Sequence, residues 1–201
     1  MTYYCPLKED EILDRLTGFK PVGFYIDVGA NSPDIDSLTK CFYKRGWNGI
    51  NIEPVLDHHS ALCQMRPRDI NLIGACGEKS GYLTLYVENY LTKGLSTAKI
   101  EYADPTWTTQ QVPVDTLTNI CDWYAKDKEI DFLKIDVEGY ELDVVKGMDW
   151  TKYRPRVLCL EAVQPNSTIE AYAEWEPILL QNGYTFVEKN IHNRFYIDTG
   201  Y

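Results

Sequence analysis

Gly23-Phe24-Tyr25-Ile26-Asp27-Val28-Gly29-Ala30-Asn31 is a short apolar run that closes on an acidic residue and a glycine turn. A run of this length bounded by a turn reads as a buried strand rather than a helix. In an open parallel sheet, ligands bind beyond the carboxyl ends of the strands, where the winding direction reverses. Asp27 to Asn31 therefore form the first candidate ligand turn.

Outward from it, short apolar runs alternate with amphipathic stretches. The pattern predicts helices over 8–16, 36–45, 58–66, 116–124, 142–146 and 172–181, the second capped by Asp36 or Ser37. Strands are predicted over 23–28, 48–52, 69–75, 131–135 and 157–160, with an antiparallel addition at 82–87 and a closing hairpin at 184–187 and 194–197. A polar, Thr-rich loop then runs to about residue 105 and is a candidate lid. The alternation implies an α/β fold: a mostly parallel sheet, helices on both faces and an antiparallel edge hairpin.

The 201 residues, 44% hydrophobic and 25% charged, fit one domain over 1–201. A net charge of −10 argues against a nucleic-acid partner, whose affinity comes largely from Lys and Arg, and against an anionic membrane surface. The six cysteines form no CxxC pair and no zinc spacing, and read as reduced thiols. The first residues lack a basic, then apolar leader, and no apolar run approaches a membrane span. A soluble, cytoplasmic protein without membrane insertion is expected.

The acidic residue closing the second strand, Glu53 before Pro54, suits the two hydroxyls of a cofactor ribose. The first turn discriminates among nucleoside cofactors. NAD needs GxGxxG where its pyrophosphate approaches a helix amino terminus, whereas this chain has Gly29-Ala30-Asn31-Ser32-Pro33-Asp34. Asp34 and Asp36 would meet a pyrophosphate with like charge. S-adenosylmethionine carries no phosphate, and its sulfonium and amino groups welcome carboxylates. The expected cofactor contacts are Asp27, Gly29, Ala30, Asn31, Asp36, Glu53 and Pro54, with Ala75 and Cys76 after the third strand. For each alone, a strand end, a tight turn or a surface carboxylate is the plainer reading; their coincidence on adjacent strand ends favours a site.

Asp131-Phe132-Leu133-Lys134-Ile135-Asp136-Val137-Glu138-Gly139 carries charges on a central strand, where they are costly. Lys134 and Asp136 share a face. Lys134 fits either substrate binding or an internal ion pair that fixes the sheet. Transfer of a methyl group to a hydroxyl needs a base or a polarising metal. Asp136 and Glu161 end neighbouring strands and offer hard oxygen ligands to a divalent ion such as Mg²⁺ or Mn²⁺. Glu138 supplies a third oxygen, a general base, or a cap for the helix after Gly139. Among the histidines, His58 and His59 read as surface residues. His192, with Asn193 and Arg194, fits an acceptor-binding segment or a plain hairpin turn.

These residues resemble the FkbM-type methyltransferases. The matching stretches run in order: Tyr25 to Asn31, Asn51 to Pro54, Gly94 to Thr97, Phe132 to Gly139, Glu161 with Pro165 to Ser167, Glu174 to Pro177, and Asn193 to Tyr196. The resemblance implies the seven-stranded class I methyltransferase sheet, which is Rossmann-like, and S-adenosylmethionine-dependent O-methylation, commonly of sugar hydroxyls in glycans or glycosylated natural products. A deoxyhexose such as rhamnose is the acceptor it points to first. It puts Asp27, Gly29, Asn31, Ser37 and Glu53 at the cofactor and Asp136 and Glu138 at the reaction centre. Relatives fused to glycosyltransferases make a module cut from a longer chain one reading of the short lead-in. An NAD-dependent sugar oxidoreductase and a non-catalytic glycan-binding module are the alternatives.

Overall fold

The computed structural model describes residues 2–89 and 94–200. The run around Asp27 becomes β1 (Phe24–Val28), buried at every position. It pairs in parallel with β2 (Asn48–Glu53) on one side and β7 (Phe132–Ile135) on the other. With β3 (Ile70–Ile73), β8 (Val157–Glu161), β9 (Tyr184–Lys189) and β10 (Asn193–Asp198), the order is β3-β2-β1-β7-β8-β10-β9. β10 lies antiparallel between β8 and β9, so the predicted hairpin closes this edge of the sheet. The chain winds outward from β1 in one direction and returns through β7 in the other. Their carboxyl ends therefore flank the switch point.

Both faces of the sheet are covered, as its apolar strands demand. Ile26, Val28, Leu133, Ile135, Leu158 and Leu160 pack one face against α4 (Leu117–Tyr124), α5 (Glu141–Lys146) and α6 (Glu176–Gln181). The alternate positions Tyr25, Phe132 and Cys159 pack the other face against α1 (Glu9–Leu16) and α2 (Lys40–Arg45). There the Phe42 ring centroid lies 4.8 Å from that of Phe132 and 5.0 Å from that of Trp47. Each such side chain contributes about 1.5–3 kcal/mol by burial. Helix α3 (Leu56–Met65) connects β2 to β3.

Three expectations are corrected. The helix expected over 36–45 starts only at Lys40, behind Thr39, because Asp36 holds φ 51° and the Ser37 hydroxyl accepts from Arg66; neither residue caps it. The helix expected over 172–181 starts at Glu176, where Pro177 sets the first turn. The strand expected over 69–75 breaks at Gly74, φ 149°, and Ala75–Cys76 becomes β4 of a separate sheet ordered β4-β6-β5. In that sheet β5 (Gly81–Val87) pairs antiparallel with β6 (Thr108–Asp115), a strand the sequence does not betray. Its polar Thr-Thr-Gln-Gln start and Pro113 read as loop, and only pairing with β5 makes it a strand. Of the candidate lid, residues 90–93 lie outside the described residues.

One buried carboxylate ties three strands at their amino ends. Asp69 accepts from the Tyr25 hydroxyl at 2.6 Å, the Gly49 amide at 2.9 Å and the Asn51 carboxamide at 3.0 Å. Asp69→Ala leaves all three donors buried without that acceptor, so it should cost about 2–4 kcal/mol. Asp69→Asn should cost less, and urea denaturation followed by circular dichroism measures both.

Candidate active site

A cleft of about 500 Å³ opens over the carboxyl ends of β1, β2, β4 and β7. Asp27, Gly29, Ala30, Asn31, Asp36, Glu53, Pro54, Ala75, Cys76, Lys134, Asp136, Glu138, His192 and Asn193 all line it. The fold thus gathers most of the predicted residues into one concavity. Ser37 stands behind its wall, accepting from the Arg66 guanidinium, which also donates to the Pro33 carbonyl at 2.6 Å. Arg194 turns away: it pairs with Glu176 at 2.7 Å and stacks over Tyr172 and Phe186 beside a second, shallower depression. His192 and Asn193 line both concavities.

The turn after β1 is built for close approach. Gly29 has φ 76°, and a Cβ there would sit 1.9 Å from the Asp136 carbonyl oxygen. Only glycine brings these two strand ends so near. Asn31, at φ 50°, donates its amide to Glu53 Oε2 at 2.7 Å, while the Val55 amide donates to Oε1 at 2.7 Å. Glu53 is buried, and burial pushes its pKa up to about 7 despite these two donors. With one donor on each oxygen, Glu53 lines the cleft and keeps further lone pairs.

Beneath the turn lies a buried charge network. Lys134 Nζ donates to the Gly29 carbonyl at 2.6 Å and sits 3.2 Å from Asp27 and 3.5 Å from Asp136. Burial alone would lower the lysine pKa, but Asp27 and Asp136 hold it well above its ordinary value. All three ammonium donors are thereby engaged, which makes Lys134 an internal ion-pair partner. Burial raises Asp27, and Lys134 and the Thr39 hydroxyl work against that rise.

Next to this network are Asp136, Glu138 and Glu161, each offering an oxygen within 4.8 Å of the others. β7 and β8 are in register at Ile135 and Leu160, so the next step brings Asp136 beside Glu161. Glu138 enters by a strained turn, φ 53°, held where the Thr97 hydroxyl donates to its carbonyl at 2.6 Å. Burial, then Asp136 and Glu141, push Glu138 up to about 9; burial, then Asp136, raise Glu161 well above the carboxylate range. The helix-cap alternative for Glu138 does not hold. Tyr140 stands at the cap position and no side chain caps α5, while Glu141 braces the preceding turn, accepting from the Val137 amide at 3.0 Å and the Gly139 amide at 3.2 Å.

Several lining residues carry no sequence signal. Cys5, Pro6, Leu7 and Glu9 form a wall from the amino-terminal segment, far from the strand ends in sequence. Leu83 and Leu85 come from the small sheet, and Tyr140 from the start of α5. Gly94 and Ser96 also line the cleft, from a stretch that only the family resemblance marked.

A crevice at the switch point, a glycine turn without the dinucleotide pattern and an acidic residue ending β2 define a Rossmann-like protein of the methyltransferase class. The methyltransferase FkbM domain matches residues 27–186, and the chain belongs to that family. Among solved structures it is similar to the methyltransferase FkbM of Methylobacillus flagellatus KT, at 16% identity and a TM-score of 0.54 over 88% of this chain. The chain spans 44% of that protein. It is also similar to magnesium protoporphyrin IX methyltransferase from Synechocystis PCC 6803, solved with bound SAM, at 12% identity and a TM-score of 0.46, covering 94% of this chain and 76% of that one. No curated protein matches the chain in sequence. Among the described residues no helix is long and apolar enough to cross a membrane.

The raised carboxylates predict how stability varies with pH. Glu53 and Glu138, with folded values of about 7 and about 9 against 4.5 in the open chain, bind protons more tightly folded than unfolded. Their contribution is full at low pH and lost as pH rises through the folded values. In chelator and without ligand, Tm should fall between pH 5 and pH 9 on the order of several degrees. Glu138→Gln should flatten the upper part of that slope in differential scanning calorimetry.

Proposed function

We propose that this chain is an S-adenosylmethionine-dependent O-methyltransferase whose acceptor is a sugar hydroxyl of a glycan or glycoside, with a deoxyhexose such as rhamnose first among acceptors. The observation that carries the reading is the juxtaposition, in one cleft, of the Glu53 and Gly29–Asn31 ribose corner with the Asp136 and Glu138 carboxylates, which Glu161 adjoins from behind the lining. The cofactor lies over Asp27 to Asn31, its ribose hydroxyls donating to Glu53 and its adenine beside Ala75 and Cys76. Asp36 receives the amino acid end, with Pro54 at the ribose edge.

The acceptor enters past His192 and Asn193. Its oxygen attacks the sulfonium methyl in line; the O–CH₃ bond forms as the S–CH₃ bond breaks, and the hydroxyl proton passes to Asp136. The products are the methyl ether and S-adenosylhomocysteine. The carboxylates also suit a divalent ion such as Mg²⁺ or Mn²⁺. The chain then acts as a soluble, cytoplasmic catalytic domain, free-standing or joined to glycosyltransferases. Asp36 in the cleft wall speaks against the pyrophosphate of an NAD-dependent oxidoreductase. A glycan-binding module would have no use for buried, mutually repelling carboxylates.

Calorimetry should detect S-adenosylhomocysteine and not NADH; the reverse result overturns the cofactor reading. Because Glu53 accepts ribose hydroxyls as a carboxylate, affinity should increase as pH rises through about 7. Glu53→Gln should weaken binding by about 1–2 kcal/mol and abolish that pH dependence. With rhamnosides as acceptors, mass spectrometry should show the added methyl, and Asp136→Ala should abolish it while sparing cofactor binding. No product on any sugar offered sinks the acceptor assignment.

A further inference from the structure

Glu161 stands apart from every other buried carboxylate among the described residues. Glu9, Asp10, Asp14, Asp27, Glu53, Asp69, Glu88, Asp131, Glu141 and Asp198 each accept a hydrogen bond or meet a cation from the protein. Glu161, only 9% exposed, has no such partner, and its Oε2 is sealed from solvent. Glu138 Oε2, one step away in the same cluster, is also buried without a donor. A buried acceptor normally finds a protein donor, and a buried charge a counterion. Among the described residues the one cation in contact with the cluster, Lys134, lies between Asp27 and Asp136.

We propose that Asp136, Glu138 and Glu161 are the protein ligands of one hard divalent cation of the Mg²⁺ and Mn²⁺ kind, bound by the chain before cofactor or acceptor arrives. Three observations converge on it. The oxygens lie within 4.8 Å of one another, a spread that small side-chain rotations close around a single ion. The donors are all carboxylate oxygens, with no imidazole or thiolate among them, which selects a hard ion over zinc or copper. Glu138 is held at φ 53° by the contact of its carbonyl with Thr97, so the backbone is spent on presenting this carboxylate. Asp136 and Glu138 line the cleft, so the remaining coordination positions open to it and suit two neighbouring oxygens of an acceptor. This last step rests on the sugar-methylation reading, whereas the ion site itself does not.

The rival occupant is the sulfonium of the cofactor, which also carries positive charge. Chelator-treated, desalted protein is titrated with Mn²⁺ without cofactor, and free Mn²⁺ is followed by electron paramagnetic resonance. The proposal expects one site per chain, displaced by Mg²⁺. Glu161→Gln and Asp136→Asn should each weaken it by roughly tenfold or more, since each removes a charged ligand. Glu161→Gln also relieves repulsion in the metal-free protein and should keep or raise its Tm, Asp136→Asn gives up the contact with Lys134 as well, and circular dichroism confirms that both fold. Absence of Mn²⁺ binding, or a site indifferent to both substitutions, overturns the proposal. Absence of Mn²⁺ binding together with much tighter binding of S-adenosylmethionine than of S-adenosylhomocysteine assigns the cluster to the sulfonium. Mn²⁺ bound as expected by a chain that ignores S-adenosylhomocysteine refutes the methyl-transfer reading and leaves the ion site standing.

Discussion

The bond from Lys134 Nζ to the Gly29 carbonyl, 2.6 Å long, is the contact on which the arrangement of the cleft depends. It joins β7 to the turn that ends β1, across the switch point of the sheet. The same ammonium neutralises Asp27 inside the sheet and reaches Asp136 at its rim. Without it, Asp27 would be a buried carboxylate with a single hydroxyl partner, Thr39, a situation that costs about 3–5 kcal/mol when one partner of a buried pair is removed. The lysine thus holds the turn down and keeps the two strand ends in contact.

From that contact the other features follow in order. Once Gly29 is drawn against β7, there is no room for a side chain between it and the Asp136 carbonyl. The tight turn throws Asn31 into a left-handed conformation, and its amide then meets Glu53 on the far side. Glu53 is fixed by two backbone donors instead of by a cation, so it keeps lone pairs available for a ligand. On the near side, Asp136 is aligned with Glu161 by the parallel register, and Glu138 is swung in by the following turn. One lysine therefore sets the spacing between the Glu53 corner and an acidic corner.

Much of this is legible in the sequence because it depends on strand ends. Apolar runs locate β1, β2, β7 and β8, and parallel pairing then brings the residues after them together whatever the loops do. The charged Phe-Leu-Lys-Ile-Asp segment is legible for the same reason: charges inside a central strand must be paired, and period-two alternation says which share a face. The start of α2 is not legible. Asp36 and Ser37 look like caps, but Arg66, distant in sequence, claims the Ser37 hydroxyl and the Pro33 carbonyl, and the chain runs on to Thr39 before turning helical. β6 fails similarly, since a polar strand containing Pro113 exists only through its partner β5. The amino-terminal wall of the cleft is invisible because tertiary packing alone carries Glu9 to Asn193, where a 3.1 Å hydrogen bond joins the two ends of the domain.

The distribution of charge in the cleft bears on what it is suited to hold. Among the described residues each buried acid other than Glu161 is matched by a donor or a cation, and Lys134 is matched twice, so the fold does satisfy its ionised groups where it has no further use for them. Among the described residues, the buried carboxylate oxygens left with neither a donor nor a cation are those of Glu138 and Glu161, beside Asp136. Relieving that imbalance with glutamine would stabilise the protein, and a chain under selection for stability alone would accept that change. A deficit of positive charge kept in one place, next to the Glu53 corner and open to the cleft, is the signature of a site completed by what it binds. The negative balance of the whole chain then acts in the same direction, favouring a cationic cofactor or ion and a neutral acceptor over phosphate-bearing molecules.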